Sequence, residues 1–213
     1  MNAAAETAFA PPASALPDMR TLTRLFAGGV IGLVAWEIWG RGLAPVVLGE
    51  ALEPAQLIIG LVQNWTGVEM PGALALIGHI LVGIIAYPLM YWIVSRHLKN
   101  WGVLFDGAVW ALFTAAAGWM FLSGKGYAGL AVFWLAVTAL YASRAINPSP
   151  VLANAVSWGS FTWFNALGIM APLAGMSFLV LEDSALFSAM SWGGHLVYGA
   201  IAALAFEWWS RRA

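Results

Sequence analysis

The stretch that decides the fold is the apolar segment Gly72–Ser95, which reads GALALIGHILVGIIAYPLMYWIVS. It contains no Asp, Glu, Lys or Arg, and its 24 residues suffice for a helix to cross the hydrocarbon core, which takes about 20. The rest of the chain is similar, because 62% of its 213 residues are hydrophobic and only 9% are charged. Soluble domains carry about 25% charged residues. The composition therefore predicts an all-α, multi-pass membrane protein.

Charge and residue usage exclude several classes of function. A net charge of −1 argues against a nucleic-acid partner, since nucleic-acid binders present a basic surface. The absence of cysteine excludes disulfides, thiolate metal sites and cysteine nucleophiles. None of the sequence signatures GxSxG, HExxH, P-loop or dinucleotide fingerprint occurs. The sequence therefore predicts a protein that is not an enzyme.

Six apolar runs predict six transmembrane helices in a single domain that covers residues 21–213. Residues 1–20 are rich in Ala and Pro, without an apolar run, and predict a disordered cytoplasmic tail. The segment near 50–65 predicts an amphipathic helix on the outer membrane surface, with a re-entrant segment as the alternative. The six predicted spans are Leu22–Leu43, Gly72–Ser95, Trp101–Leu122, Tyr127–Ser143, Ser157–Phe178 and Phe187–Trp209.

The basic residues predict the orientation of these spans. With the N-terminus in the cytoplasm, only Arg41 and Lys125 face outward, and an excess of Lys and Arg marks the cytoplasmic side. Both termini are then cytoplasmic, and we expect a bacterial inner-membrane location. The seven basic residues on the inside are Arg20, Arg24, Arg96, Lys99, Arg144, Arg211 and Arg212.

Two pairs of spans share a pattern that predicts an internal repeat. Four residues of the first span recur in the fifth at an offset of 127, and Gly78-His79 with Gly83 recurs in the sixth span as Gly194-His195 with Gly199. An even number of spans separates the copies, so the repeat is parallel, with helices 1–2 equivalent to helices 5–6. The four matches at offset 127 are Gly32 with Gly159, Trp36 with Trp163, Ala44 with Ala171, and Pro45 with Pro172.

Small residues spaced four apart predict close contacts between helices. A glycine four residues from another lies on the same helix face and lets a second backbone approach. The predicted packing positions are Gly28, Gly32, Gly78, Gly83, Gly194 and Gly199.

The Gly-rich first span, the two GHxxxG helices and the string His195-Leu196-Val197-Tyr198-Gly199 resemble the YagU-like family of small bacterial inner-membrane proteins. The likeness covers most of spans one, two, five and six, whereas spans three and four fit it less well. The resemblance implies the fold. It implies no catalytic residue, because the family has no established reaction.

Two histidines lie within the predicted spans at about the same depth, about 10–12 Å below the outer boundary. A neutral imidazole is a good iron ligand, so His79 and His195 could hold a b-type haem between them. They could also bind a metal ion or another ligand, or transfer protons. The reading that the sequence favours is hydrogen bonding across helices, without a cofactor or a metal.

Three further intramembrane polar residues are Glu37, Arg41 and Asn165. Glu37 precedes Arg41 by four residues, which favours a helical ion pair, and it could instead form a proton-transfer couple with His79. The same spacing predicts a pair between Glu207 and Arg211. We expect Asn165 to connect two helices.

These features predict a non-catalytic membrane protein, rich in Trp, that acts as an accessory or assembly subunit of a larger respiratory or photosynthetic complex. Its expected partners are membrane lipid and other membrane-protein subunits. The alternatives are a small b-haem electron carrier ligated by His79 and His195, and a transporter of a small or apolar solute.

Overall fold

The structure is a computed structural model of the chain, and it describes residues 16–98, 101–122, 138 and 150–211. Within these residues all regular structure is helical and no strand occurs, so the all-α prediction is confirmed. Three predictions fall elsewhere, namely the fourth span at 127–143, the outward position of Lys125, and most of the N-terminal tail. They lie outside the described residues.

The described residues form six α-helices and a short 3-10 helix at Phe178–Val180, and three of the six are long and apolar enough to cross a membrane. These three are α1, α3 and α6, in agreement with the prediction of a membrane protein. The helices are α1 (Met19–Leu48), α2 (Pro54–Thr66), α3 (Gly72–His97), α4 (Trp101–Leu122), α5 (150–173) and α6 (Ala185–Arg211).

The N-terminus of α1 has an acidic cap. The carboxylate of Asp18 accepts a hydrogen bond from the backbone N–H of Thr21 at 2.8 Å, which satisfies one of the free donors at a helix start. The hydrogen bonds from the side chain and backbone of Thr21 lower the pKa of Asp18 from its ordinary value of 3.8. The helix therefore begins at Met19, three residues before the predicted start of the first span.

The fifth helix differs most from its prediction. It begins at Pro150 rather than Ser157 and ends at Leu173 rather than Phe178, because Gly175 adopts a φ of +86° that turns the chain. It is not among the helices that are apolar enough to span, because hydroxyl groups dilute its apolar character. Those hydroxyls are buried against neighbours, at Ser157, Ser160 and Thr162.

Three helices contain a wide, π-helical turn. These turns are Trp39–Leu43 in α1, Val82–Ala86 in α3 and Phe164–Met170 in α5. Turns of this kind interrupt an α-helix locally and occur frequently at functional sites. They divide each of the three helices into two α-helical parts.

Helix α6 packs between α1 and α5, and small residues set the distances. A Cβ added to Gly28 would lie 2.8 Å from the carbonyl oxygen of Ala202, and one added to Gly32 would lie 2.9 Å from the Ala202 side chain. On the other face of α6, Gly199 meets the backbone of Gly159. A larger residue at these positions would separate the helices.

The remaining predicted packing positions contact side chains. Gly83 lies against Leu33, and Gly194 lies against the rings of Trp36 and Trp39. Gly78 is different, because an added Cβ would meet only the Ile58 side chain at 3.7 Å, an ordinary contact.

Helix α2 occupies the segment for which the sequence predicts a surface helix. It begins at Pro54 and ends before Gly67, whose φ is +69°. Among its residues none is buried, and it packs along α3. The side chains of Asn64 and Trp65 both donate to the carbonyl oxygen of Leu173, at 2.8 and 3.1 Å. These bonds fasten α2 to the end of α5.

An aromatic cluster fills the opposite end of the bundle, where α3 finishes. The ring of Tyr91 lies 5.7 Å from Trp158 and 6.2 Å from Phe206, in edge-to-face arrangements. Trp101 lies 6.0 Å from Trp158. Such pairs stabilise a core beyond simple burial, so this end is closely packed, whereas the end beneath α2 contains a cavity.

Candidate functional site

The two intramembrane histidines lie on the wall of one cavity. His79 comes from α3 and His195 from α6, and both line a space of about 480 Å³. The indole of Trp36, from α1, lies between them, with its centroid 5.3 Å from the His79 ring and 6.0 Å from the His195 ring. Three helices thus bring an indole and two imidazoles to one site.

The rest of the cavity is mostly apolar. Its walls come from α1, α3, α5 and α6, and the connection before α2 together with the first turns of α2 covers it. Glu50 and Glu53 line its rim, where both are exposed. The apolar wall includes Leu33, Val82, Ala166, Leu167, Met170 and Phe187. The cavity volume is typical of small-molecule sites, which are apolar with a few convergent polar groups.

Glu37 joins His79 to the ion pair that the sequence predicts. One carboxylate oxygen lies 3.2 Å from His79 Nε2, and the other lies 2.6 Å from Arg41 Nε. Glu37 therefore contacts both Arg41 and His79, and a proton-transfer couple with His79 stays a prediction. The side chain of Arg41 is 46% exposed and that of His79 only 15% exposed. The chain Arg41–Glu37–His79 therefore leads from an exposed position to the cavity.

His195 is held by its own helix. Its Nδ1 lies 2.8 Å from the carbonyl oxygen of Ser191, one turn earlier, and 3.5 Å from the Ser191 hydroxyl. This bond fixes the orientation of the ring toward Trp36 and the cavity.

Two tyrosines and Asn165 form the inner part of the site. Tyr198 donates to the carbonyl oxygen of Gly83 at 2.7 Å, and Asn165 donates to the hydroxyl of Tyr87 at 2.9 Å. The side chain of Asn165 thus connects α5 with α3, as expected for an amide between two helices.

The predicted pair between Glu207 and Arg211 is wrong in its partner. The carboxylate of Glu207 lies 3.1 Å from Arg96, and it also accepts a hydrogen bond from Tyr91 at 3.1 Å. Arg96 approaches from α3 with two guanidinium nitrogens, a bidentate geometry that strengthens the contact. The ion pair therefore joins α3 to α6.

The arrangement bears on the haem alternative. Ligation of one iron through Nε2 of both histidines would require His79 to release Glu37, and Trp36 lies against both rings. Over the residues described, no cluster of three or more His, Asp or Glu side chains could hold a metal ion.

No family model, curated protein or solved structure matches this chain. The resemblance to the YagU-like family therefore stays a prediction.

Sequence reasoning missed Tyr87 and Tyr198 as residues of the site. Tyr198 had a signal, since it follows His195 by three residues and so lies on the same helix face. Gly159 was identified only as the repeat equivalent of Gly32, although its backbone is in tight contact with α6.

Proposed function

We propose that this chain is a bacterial inner-membrane protein that binds a small, largely apolar molecule in the cavity between α1, α3, α5 and α6. One observation carries the proposal: mostly apolar walls line a half-open space of about 480 Å³, and two imidazoles belong to that lining. A packing-only role for the histidines would require no such space. Binding of this kind is the first step of transport for a small or apolar solute, which is the function class that we favour.

Photolabelling with an alkyl diazirine tests this proposal. The purified protein is irradiated with the probe in detergent micelles, and labelled peptides are identified by mass spectrometry. We expect labelling of cavity peptides around Met170 that saturates with probe concentration. Labelling of bilayer-facing peptides such as that of Leu104, which is 69% exposed, should rise without saturation.

A matched pair of variants makes the test specific. Met170→Trp places a large ring in the cavity and should abolish the saturable labelling, whereas Leu104→Trp adds the same ring on an outer face and should leave it unchanged. Labelling that never saturates in the wild-type protein would contradict the binding proposal.

We further propose the six-span, parallel-repeat topology with both termini in the cytoplasm. Support for the repeat comes from α1 and α5, in each of which a π-helical turn directly precedes a fully buried alanine, Ala44 or Ala171. Trp36 and Trp163, also 127 residues apart, are both buried. A reporter active only in the cytoplasm should be active after Ala213 and silent when inserted at Lys125. The reverse result would exclude this topology.

An accessory role in a larger membrane complex is the second candidate. It is favoured by the short connections, since only residues 49–53 separate α1 from α2 and residues 67–71 separate α2 from α3. Such a chain offers little surface outside the bilayer, so a partner would meet it through its helices. Native mass spectrometry of the protein extracted from its own membrane identifies co-purifying subunits. An absorption spectrum of the same sample tests for bound haem.

A further inference from the structure

The imidazole of His195 is held by a group that can only accept hydrogen bonds. Its Nδ1 lies 2.8 Å from the carbonyl oxygen of Ser191. A carbonyl has no hydrogen to donate, so Nδ1 must carry the ring proton. In a neutral imidazole the other nitrogen, Nε2, is then an acceptor.

His79 is held in the opposite tautomer. Its Nε2 lies 3.2 Å from Glu37, and the second oxygen of that carboxylate lies 2.6 Å from Arg41. Because Arg41 already balances the charge of Glu37, His79 requires no charge of its own in this apolar environment. A neutral ring donates from Nε2 and keeps a lone pair on Nδ1.

Both remaining nitrogens lack a protein partner in the part of the chain that the structure describes. Because His79 and His195 both line the cavity, we infer that these two acceptor nitrogens belong to its wall. An acceptor that faces an apolar space without a donor loses the hydrogen bonds that water would supply. A ligand that donates a hydrogen bond removes this penalty, and a ligand that only accepts does not.

We propose that the cavity selects apolar molecules whose polar head is a neutral hydroxyl group, an alcohol or a phenol, over those whose head only accepts, such as an ether or ketone. This inference rests on the proposed binding function of the cavity. A cationic head fits less well, because Glu37, the carboxylate beside His79, is already neutralised by Arg41. Two other acidic side chains, Glu50 and Glu53, do line the cavity, but both lie on its exposed rim.

Nitrogen-15 NMR of histidine-labelled protein tests the tautomers directly. We expect His195 to be protonated on Nδ1 and His79 on Nε2, with the second nitrogen of each ring unprotonated. Signals are assigned by comparison with His79→Phe and His195→Phe. A proton on Nε2 of His195, or on both nitrogens of either ring, would overturn the inference.

A pair of probes tests the selectivity. We compare 4-heptylphenol with its methyl ether, 4-heptylanisole, which has the same chain and ring but no donor, by calorimetry in detergent micelles with partitioning corrected on empty micelles. We expect the phenol to bind about 3- to 20-fold tighter, the ratio for one intramembrane hydrogen bond of about 0.6–1.7 kcal/mol.

Three histidine variants connect this ratio to the site. His195→Phe should reduce it toward one, and His195→Gln should retain part of it because the amide oxygen still accepts. His97→Phe is the matched control, because His97 contacts Trp92 at the far end of α3 and should not affect the ratio.

The outcomes separate the two proposals. If neither probe binds, the proposed function fails and the inference fails with it. If both probes bind with equal affinity, or if heptylamine binds tighter than the phenol, the binding function stands and the hydroxyl selectivity is overturned.

Discussion

The contact between α5 and α6 at Gly159 provides a quantitative test of the packing. A Cβ added to Gly159 would lie 2.5 Å from the carbonyl oxygen of His195 and 2.7 Å from the Cα of Leu196. Both neighbours are backbone atoms, so neither can rotate away. Ordinary contact begins at 3.4 Å, and 3.4 − 2.5 gives a displacement of about 0.9 Å that one helix must undergo.

We therefore expect Gly159→Ala to lower the free energy of unfolding. Overfilling a packed site costs about 1–3 kcal/mol, whereas replacing a helical glycine by alanine gains about 0.5–1 kcal/mol. The net loss is then about 0–2.5 kcal/mol, centred on about 1 kcal/mol. The displaced backbone is that of His195, so the same substitution should also weaken binding in the cavity.

Unfolding in mixed micelles of dodecylmaltoside and increasing dodecyl sulfate, followed by tryptophan fluorescence, measures this loss. The control is Gly118→Ala on α4, where an added Cβ meets nothing within 4 Å; it should be neutral or stabilising by up to about 1 kcal/mol. If Gly159→Ala unfolds at the same detergent fraction as Gly118→Ala, the tight contact between α5 and α6 is wrong.

Three further predictions concern the ends of the helices. A double-mutant cycle of Arg96→Gln and Glu207→Gln in the same unfolding assay should give a coupling energy of about 1 kcal/mol. The coupling is modest because Arg96 is 37% exposed and solvent screens the pair. Additive effects of the two substitutions would contradict the pairing. Trp65→Phe removes one of two donors to Leu173 and should speed amide hydrogen exchange in α2 about threefold, and unchanged exchange would show that the bond does not hold α2. Asp18→Ala should speed amide hydrogen exchange at the start of α1. Because the pKa of Asp18 is lowered in the folded protein, the stabilisation by this cap is complete above pH 3.8 and is lost as the pH falls below that value. The exchange rates of the wild-type protein and the variant should therefore converge in acid.

The sequence predicted the helical architecture well where composition decides it. The bounds of α4 agree with the third predicted span, and α3 and α6 agree with the second and sixth spans within two residues at each end. Apolar runs determine such helices because the backbone must satisfy its own hydrogen bonds in lipid. Helix α5 was predicted less well at both ends. It begins at Pro150 instead of Ser157, because Pro150 and Asn154 interrupt the apolar run without interrupting the helix. It ends at Leu173, before Gly175 turns the chain.

The site was predicted in part. The matching GHxxxG motifs drew attention to His79 and His195, which line one cavity, and the spacing of Glu37 and Arg41 predicted their pair. The cavity itself could not be predicted, since it depends on how far four helices diverge beneath α2. The partner of Glu207 depends on the crossing of α3 and α6, which residue spacing along one helix does not report.

The wide turn in α3 has a geometric consequence for the cavity. In a regular α-helix each residue advances by about 100°, so residues eight apart, such as His79 and Tyr87, point about 80° away from each other. The turn at Val82–Ala86 lies between them and takes up one extra residue. The remaining seven steps make about 700°, only about 20° short of two full revolutions. Both side chains can then line the same cavity. Trp36 and Ala44, also eight apart across the wide turn of α1, are both buried in the same way. In each of these helices the extra residue of the wide turn rotates the second half relative to the first, so that the same side of both halves faces the interior of the bundle.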